Sequence, residues 1–356
     1  MKGWRWLIAG LVCLGALSGC GGHDDNDMPT RFGLTALVSD VPGAAAQTDA
    51  NLVNGWGVAF NPTGFVWVAD NGTGKSTLYD GNGVPQSLVV SIPPGAAGDA
   101  LPTGIVFSGG ADFVVGANGL SGPSRFIFVS QAGTIAGWAP NVDRTNAITV
   151  VDGAVTGKSY LGLALAAAGT GNRLYATDFH NRVVDVYDGS FAPVALPGAF
   201  TDPALPAGYA PFGIQALGGR IYVTYAQQDA GGDEVKGAGL GIVDVYDTAG
   251  ALIRRLVTGG PLNAPWGLAL APADFGTFSN ALLVGNFGDG RINAFDANTG
   301  AFLGTLSDAN GNPIVVDGLW GMAFGNGLSN QGTSTLFVAA GPSDESHGLY
   351  ARIDKR

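Results

Sequence analysis

Trp266-Gly267-Leu268-Ala269-Leu270 is a glycine, after an aromatic residue, opening an alternating apolar strand, and the chain uses this element six times, with an aromatic or other residue before the glycine. The other copies are Trp56-Gly57-Val58-Ala59-Phe60, Thr103-Gly104-Ile105-Val106-Phe107, Leu161-Gly162-Leu163-Ala164-Leu165, Phe212-Gly213-Ile214-Gln215-Ala216 and Trp320-Gly321-Met322-Ala323-Phe324. The glycines are spaced by 47, 58, 51, 54 and 54 residues, a mean of about 53. A second strand is expected after each, at Phe65–Ala69, Asp112–Gly116, Arg173–Thr177, Ile221–Tyr225, Ala281–Gly285 and Thr335–Ala339. A third tends to end in aromatic-Asp, as in Tyr79-Asp80, Tyr187-Asp188, Tyr246-Asp247 and Phe295-Asp296, with a nearby Gly turning the chain into a fourth. Four strands in each of six repeats predict an all-β, six-bladed β-propeller over residues 31–356. The last repeat stops at Ile353-Asp354, one strand short, and Phe32–Ser39 can supply the missing strand and close the ring. The second repeat fits least well, because its Gly119–Ser124 loop and Asn141–Ser159 connector break the template.

Composition agrees. Of 356 residues, 59 are Gly and 19 Pro, so long helices are disfavoured, while 46% are hydrophobic, enough for a large core. Of the 28 acids only Glu234 and Glu345 are glutamates; the rest are aspartates, which favour turns. A net charge of −11 without a basic cluster makes nucleic acid a poor partner.

The first residues read as an export signal. Lys2 and Arg5 precede an apolar run from Trp6 to Leu17, too short to span a bilayer comfortably, and Leu17-Ser18-Gly19-Cys20 follows. That tetrapeptide resembles the bacterial lipobox, which implies a signal peptide over 1–19 and lipidation at Cys20. Residues 20–30 then read as a flexible polar tether. The expected location is the cell envelope, with the membrane reached through the lipid. By resemblance to enterobacterial lipoproteins, the absence of Asp after Cys20 suits the outer membrane of a Gram-negative bacterium. Cys13 falls in the signal, so the mature domain has no disulfide, thiol nucleophile or cysteine metal site. A monomer is expected.

Two resemblances bear on the domain. Leu161–Asp188, with Leu174-Tyr175-Ala176-Thr177-Asp178 and Asn181-Arg182-Val183-Val184-Asp185-Val186-Tyr187, resembles an NHL repeat. Roughly Asn51–Ile353 is similar to an uncharacterised family of secreted bacterial propellers, some ending in a PEP-CTERM sorting tail. The residues concerned are Asn51-Leu52-Val53-Asn54-Gly55-Trp56-Gly57, Thr177-Asp178-Phe179-His180-Asn181, Ala264-Pro265-Trp266-Gly267-Leu268 and Gly285-Asn286-Phe287-Gly288-Asp289-Gly290. This chain ends Asp354-Lys355-Arg356 without such a tail, and the resemblance implies no established activity.

The first two strands of a blade form a hairpin, so the start of one and the end of the other share one end of the ring. That places Asn54, Trp56, Thr103, Phe212, Trp266 and Trp320, with Asp70, Asn71, Asn118, Asp178, His180, Tyr225, Gln227 and Asn286, on one channel face. Two long loops open there, Ala226–Leu240 and Ala340–Gly348, bearing both glutamates, Lys236 and His347. Asn54, Trp56, Asp70, Asn71, Asp178, His180, Tyr225, Trp266, Asn286 and Trp320 are accordingly the candidate residues for a small ligand or protein partner. The competing structural expectation is that the Trp side chains fill the space between blades, that the Asp and Asn cap strand ends, and that His180 bonds a backbone carbonyl. Asp70, Asp178 and Asn286 offer hard oxygen ligands suited to calcium, so the alternative function is a calcium-dependent hydrolase or lyase at the channel. His180 and His347 are too few for a histidine-rich zinc lyase site. Gly72-Thr73-Gly74-Lys75-Ser76-Thr77 looks like the end of a phosphate loop but lacks the first Gly and precedes a strand.

Overall fold

A computed structural model describes residues 29–169 and 171–356. The elements are strands apart from three short 3-10 turns, and their sheets are the six blades of a β-propeller. From the axis outward, blade 1 is Gly55–Phe60, Val66–Asp70, Lys75–Tyr79 and Val90–Ser91. Blade 2 is Pro102–Phe107, Phe126–Ser130, Thr134–Trp138 and Ile148–Asp152. Blade 3 has only three strands, Tyr160–Ala168, Gly171–Asp178 and Val183–Asp188. Blade 4 is Tyr209–Leu217, Arg220–Gln227, Ile242–Tyr246 and Leu252–Thr258, and blade 5 is Pro265–Leu270, Leu282–Asn286, Ile292–Phe295 and Phe302–Thr305. Blade 6 is Leu319–Phe324, Leu336–Ala340 and Leu349–Lys355, completed by Phe32–Ser39 from the other end of the sequence. The closing strand runs antiparallel to the last one, from Phe32 opposite Lys355 to Ser39 opposite Leu349, as the short sixth repeat required.

One strand assignment is corrected. Asp112–Gly116 is not the second strand of blade 2; Val114–Ala117 pairs with Leu120–Pro123 as an inserted hairpin, and Phe126–Ser130 takes the second place. The Asn118-Gly119 turn between them has φ of 54° and 78°, both left-handed, which suits a tight hairpin turn. The hairpin sends Phe113 and Val115 into the core between blades 2 and 3.

The core is divided. Six apolar clusters lie one between each pair of neighbouring blades, and a seventh, of Trp56, Phe212, Trp266, Phe287, Trp320 and smaller neighbours, lies on the axis. A blade's second strand is therefore buried on both faces, and Val66–Asp70 and Leu282–Asn286 are buried at every position. The repeat glycines have a steric purpose. A Cβ at Gly213 would sit 2.1 Å from Trp266 O, at Gly321 2.2 Å from Trp56 O, at Gly104 2.5 Å from Leu163 N and at Gly57 2.6 Å from Thr103 O. Each inner strand thus lies against the next around the ring, at a separation only a hydrogen atom permits.

Candidate functional site

The ten candidate residues fall into three groups. The first closes the axis. Trp56 and Trp320 stack with centroids 3.4 Å apart, Trp266 meets both edge-on at 5.8 Å, and Phe287 stacks on Trp320 at 3.8 Å. All four are buried, so this end of the channel is a packed plug. The indole N–H groups of Trp56 and Trp266 are buried with no acceptor among the described residues. A buried unpaired donor costs about 1–3 kcal/mol, which an entering oxygen acceptor would offset.

The second group sits on top of the plug. Trp320 Nε1 donates to Asn54 Oδ1 (3.2 Å), and Asn54 Nδ2 donates to Glu345 Oε2 (2.8 Å) and Asn71 Oδ1 (3.2 Å). Asn71 Nδ2 in turn donates to Gln131 Oε1 at 2.9 Å. Glu345 ends a run of three residues, Ser343, Asp344 and Glu345, with φ of 58°, 51° and 63°. Left-handed backbone is unfavourable for residues with a Cβ, so strain is concentrated where the loop delivers its carboxylate. Glu234 and Lys236 come from the other long loop. Lys236 Nζ lies 4.2 Å from the Phe287 ring centroid, a cation over the exposed side of the plug. Burial pushes the Glu234 carboxyl up to about 7, helped by the charges of Glu345 and Asp233 and opposed by its own backbone N–H and by Lys236. Glu345 is also raised, chiefly by burial, against the bond from Asn54 and the charge of Lys236. Beside this network a cavity of about 370 Å³ opens between Asn71, Lys75, Ser91, Asp99 and Leu101. Lys75 is not poised for phosphate; it begins a strand and donates to Asn51 Oδ1 at 2.7 Å.

The third group is turned away from the axis. Asp70, Asp178 and Asn286 end the second strands of blades 1, 3 and 5, Tyr225 lies two residues before the end of that of blade 4, and each faces the cleft toward the preceding blade. Asp70 Oδ1 accepts from Thr77 Oγ1 at 3.2 Å while Oδ2 is buried without a partner, and burial holds this carboxyl well above the usual carboxylate range. Asp178 accepts from the backbone of Ser159 (3.2 Å) and Asn181 (3.1 Å), a capping role. Tyr225 shares a 2.7 Å hydroxyl–hydroxyl bond with Tyr246, and Asn286 Nδ2 donates to Pro261 O at 2.8 Å. His180 is exposed. Asp70, Asp178 and Asn286 therefore occupy three separate clefts and do not converge on one ion; among the described residues no three His, Cys, Asp or Glu side chains are grouped to hold a metal. The site residues missing from the candidate set are Glu234, Lys236, Gln131 and Glu345. The signal was available: the chain's only two glutamates sit in two long loops that leave second strands on this face.

The opposite end of the channel is open and apolar. A cavity of about 310 Å³ is lined by Phe60, Ile105, Phe107, Leu165 and Phe324, with Gln215 as a polar side chain. The last residues of the inner strands of blades 1, 2 and 6, Phe60, Phe107 and Phe324, line it.

The raised carboxyls fix the sign of a pH effect. An acid whose pKa rises on folding keeps its proton in the folded state while the unfolded state loses it, so stability falls as pH rises through the interval. For Glu234 the interval runs from 4.5 to about 7, and Asp244, raised mainly by burial to about 7, acts in the same direction. The turn aspartates, such as Asp188 and Asp296, are lowered by backbone and side-chain hydrogen bonds and act oppositely, in more acidic solution. Denaturant midpoints should therefore decline from weakly acidic to neutral pH, and Glu234→Gln should flatten part of that decline. An unchanged slope in the variant would contradict the burial of Glu234.

Comparison with known proteins places the chain. An uncharacterized protein of Acanthamoeba polyphaga mimivirus is 33% identical over 302 residues, covering 83% of this chain and 74% of its own length. A second uncharacterized mimivirus protein is 33% identical over 294 residues, covering 81% and 77%. The chain belongs to their family. No family model matches it. Among solved structures, a protein of unknown function from Bacteroides thetaiotaomicron VPI-5482 superposes with a TM-score of 0.56 at 11% identity, over 92% of this chain and 76% of that one. A streptogramin B lyase gives 0.53 at 14% identity, over 93% of this chain and 100% of that one. At such identities these likenesses establish the propeller fold alone, and the mimivirus relatives bring no named activity with them.

Proposed function

We propose that this propeller is an exported, lipid-anchored binding scaffold that takes a small cationic, oxygen-bearing ligand at the plugged mouth of its channel. The observation behind the reading is the joining of Glu234, Glu345, Asn54 and Lys236 above the stacked Trp320–Phe287 pair. Two partly buried carboxylates suit a cationic or donor-rich ligand, which would displace Lys236 from the aromatic face. The two unpartnered indole N–H groups are buried within the plug, so an oxygen acceptor on the same ligand would bond them only by parting the stacked rings. Anchoring rests on Leu17-Ser18-Gly19-Cys20, on residues 1–19 as a signal and on the polar stretch after Cys20, all short of the first described residue, Pro29. The likeness to secreted bacterial propellers supports the same location, at the outer membrane. The domain works as a monomer in this reading.

Because three of the seven tryptophans form the plug, their fluorescence reports occupation of the mouth. A screen of small amines and amino sugars should yield ligands that shift this emission. Glu345→Gln should weaken them by about tenfold, a loss of the order expected for one charged hydrogen bond, while His180→Ala leaves them unchanged. Ligands indifferent to Glu345, or none at all, would remove the mouth as the binding site. In cells, Cys20→Ser should release the protein from the membrane fraction or stall its maturation; unchanged membrane attachment of the variant together with an unmodified Cys20 in the mature parent would refute the anchor.

A further inference from the structure

The described chain enters the domain at the open end of the channel. Strands one and two of each blade are joined at this end, as are strands three and four wherever they are consecutive. Thr30 lies against the blade 5 connection between Leu270 and Leu282, where Thr277 N donates to Thr30 Oγ1 at 2.9 Å. Lys355 Nζ, from the last strand, donates to Asp274 O in the same connection. Cys20 stands nine residues before Pro29, a span of about 30 Å fully extended and about 17 Å on average as a coil. The inner strand Gly55–Phe60 alone, six residues long, rises about 20 Å. A lipid at Cys20 would therefore hold the open end near a bilayer and leave the plugged end beyond its average reach.

The exposed apolar side chains follow the same division. Of thirteen large ones among the described residues, eight lie in connections or strand ends of the open end and four at the plugged end. Val84, Val114, Leu120, Leu270, Phe302 and Leu328, each 41–54% exposed, belong to blades 1, 2, 5 and 6, which are consecutive around the ring. Thr30 enters within this arc, and the turns of blades 1 and 6 touch there, with Gly81 N donating to Ser329 O at 2.9 Å. The arc surrounds the apolar mouth formed by Phe60, Phe107 and Phe324. Acids are concentrated at the other end. Glu234, Glu345, Asp99, Asp229, Asp233 and Asp344 all stand at the plugged mouth, which anionic headgroups would repel.

We infer that the open end is a membrane-docking face. It rests on the lipid bilayer with Phe302, Leu270, Leu328 and their neighbours in the headgroup region, and turns the glutamate mouth away from the membrane. The inference rests on the lipid anchor proposed above. Apolar side chains spaced along an arc suit the broad apolar layer beneath the headgroups, which accepts each of them without a matching pocket, whereas a protein partner buries one continuous apolar centre.

The test uses the mature lipidated protein in vesicles of phosphatidylethanolamine and phosphatidylglycerol, part of the lipid carrying a nitroxide quencher in its acyl chains. Beyond Cys20 the sequence has no thiol, so Phe302→Cys, Leu328→Cys and Val155→Cys each accept a fluorescent dye at one position. Dye at position 302 or 328 should lose about half of its emission or more, as expected for a side chain at interfacial depth. Dye at position 155, where the native valine is 98% exposed at the plugged end, should stay within about a tenth of its emission in quencher-free vesicles. Flotation of the vesicles reports the anchor separately. Protein that floats without quenching at 302 and 328 keeps the anchor and overturns the docking face, leaving the apolar arc to a protein partner. Equal quenching at 155 also overturns the face, because the domain then has no preferred side. Protein that does not float overturns the anchor and the docking face with it.

Discussion

Gly213→Ala should lower the melting temperature by several degrees and cost about 3 kcal/mol or more, although it adds a single methyl group. That carbon would stand 2.1 Å from Trp266 O and 2.9 Å from Thr224 Oγ1, the hydroxyl that accepts from Gly213 N at 2.8 Å. A backbone carbonyl cannot swing aside as a side-chain tip does, so the inner strands of blades 4 and 5 must separate. Overfilling a packed interior costs about 1–3 kcal/mol when the surroundings can yield and more when they cannot. Here they cannot yield locally, because the six inner strands form a closed ring. The close approaches also rank the positions. Gly213 and Gly321 should be most sensitive, Gly57, Gly104 and Gly267 intermediate, and Gly162 mildest, since its nearest contacts are at 3.0 and 3.1 Å. Gly171→Ala, with nothing within 4 Å, is the control and should stay within about 0.5 kcal/mol of the parent. Equal effects at Gly213 and Gly171 would refute the steric account.

Removing residues 29–39 should abolish cooperative unfolding. The segment buries Phe32, Leu37 and Val38 almost completely, at 0%, 3% and 0% exposure. At roughly 1.5–3 kcal/mol for each fully buried apolar side chain, the loss rivals the roughly 5–15 kcal/mol that separates folded from unfolded domains. It also uncovers the edge of Leu349–Lys355 and unlocks the two chain ends, so aggregation should accompany the loss. A peptide spanning Phe32–Ser39, added in trans, should restore a sharp melting transition. A truncated protein that melts within a few degrees of the parent would show that the closing strand contributes little.

The ring was legible in the sequence because its constraint is local and periodic. Close approach of inner strands demands a residue without a Cβ at one place in every blade, and that demand is written as six strands that each open on a glycine after an aromatic residue, leucine or threonine. The short last repeat announced the Phe32–Ser39 closure for the same reason, since a missing strand shows in a count. The inserted hairpin of blade 2 was misread because Asp112–Gly116 also alternates, and alternation does not name a strand's partner. The candidate site was only half legible. The sequence could place Asp70, Asp178, Tyr225 and Asn286 at strand ends on the channel face, but not choose the direction of their side chains. Second strands are buried on both faces between neighbouring blades, so no apolar–polar alternation marks which side meets the axis and which meets a cleft. Nor could it join Glu234 to Glu345, 111 positions apart in separate loops. Only the closed ring, which folds those loops over one aromatic plug, brings Glu345 close enough to help raise the Glu234 carboxyl.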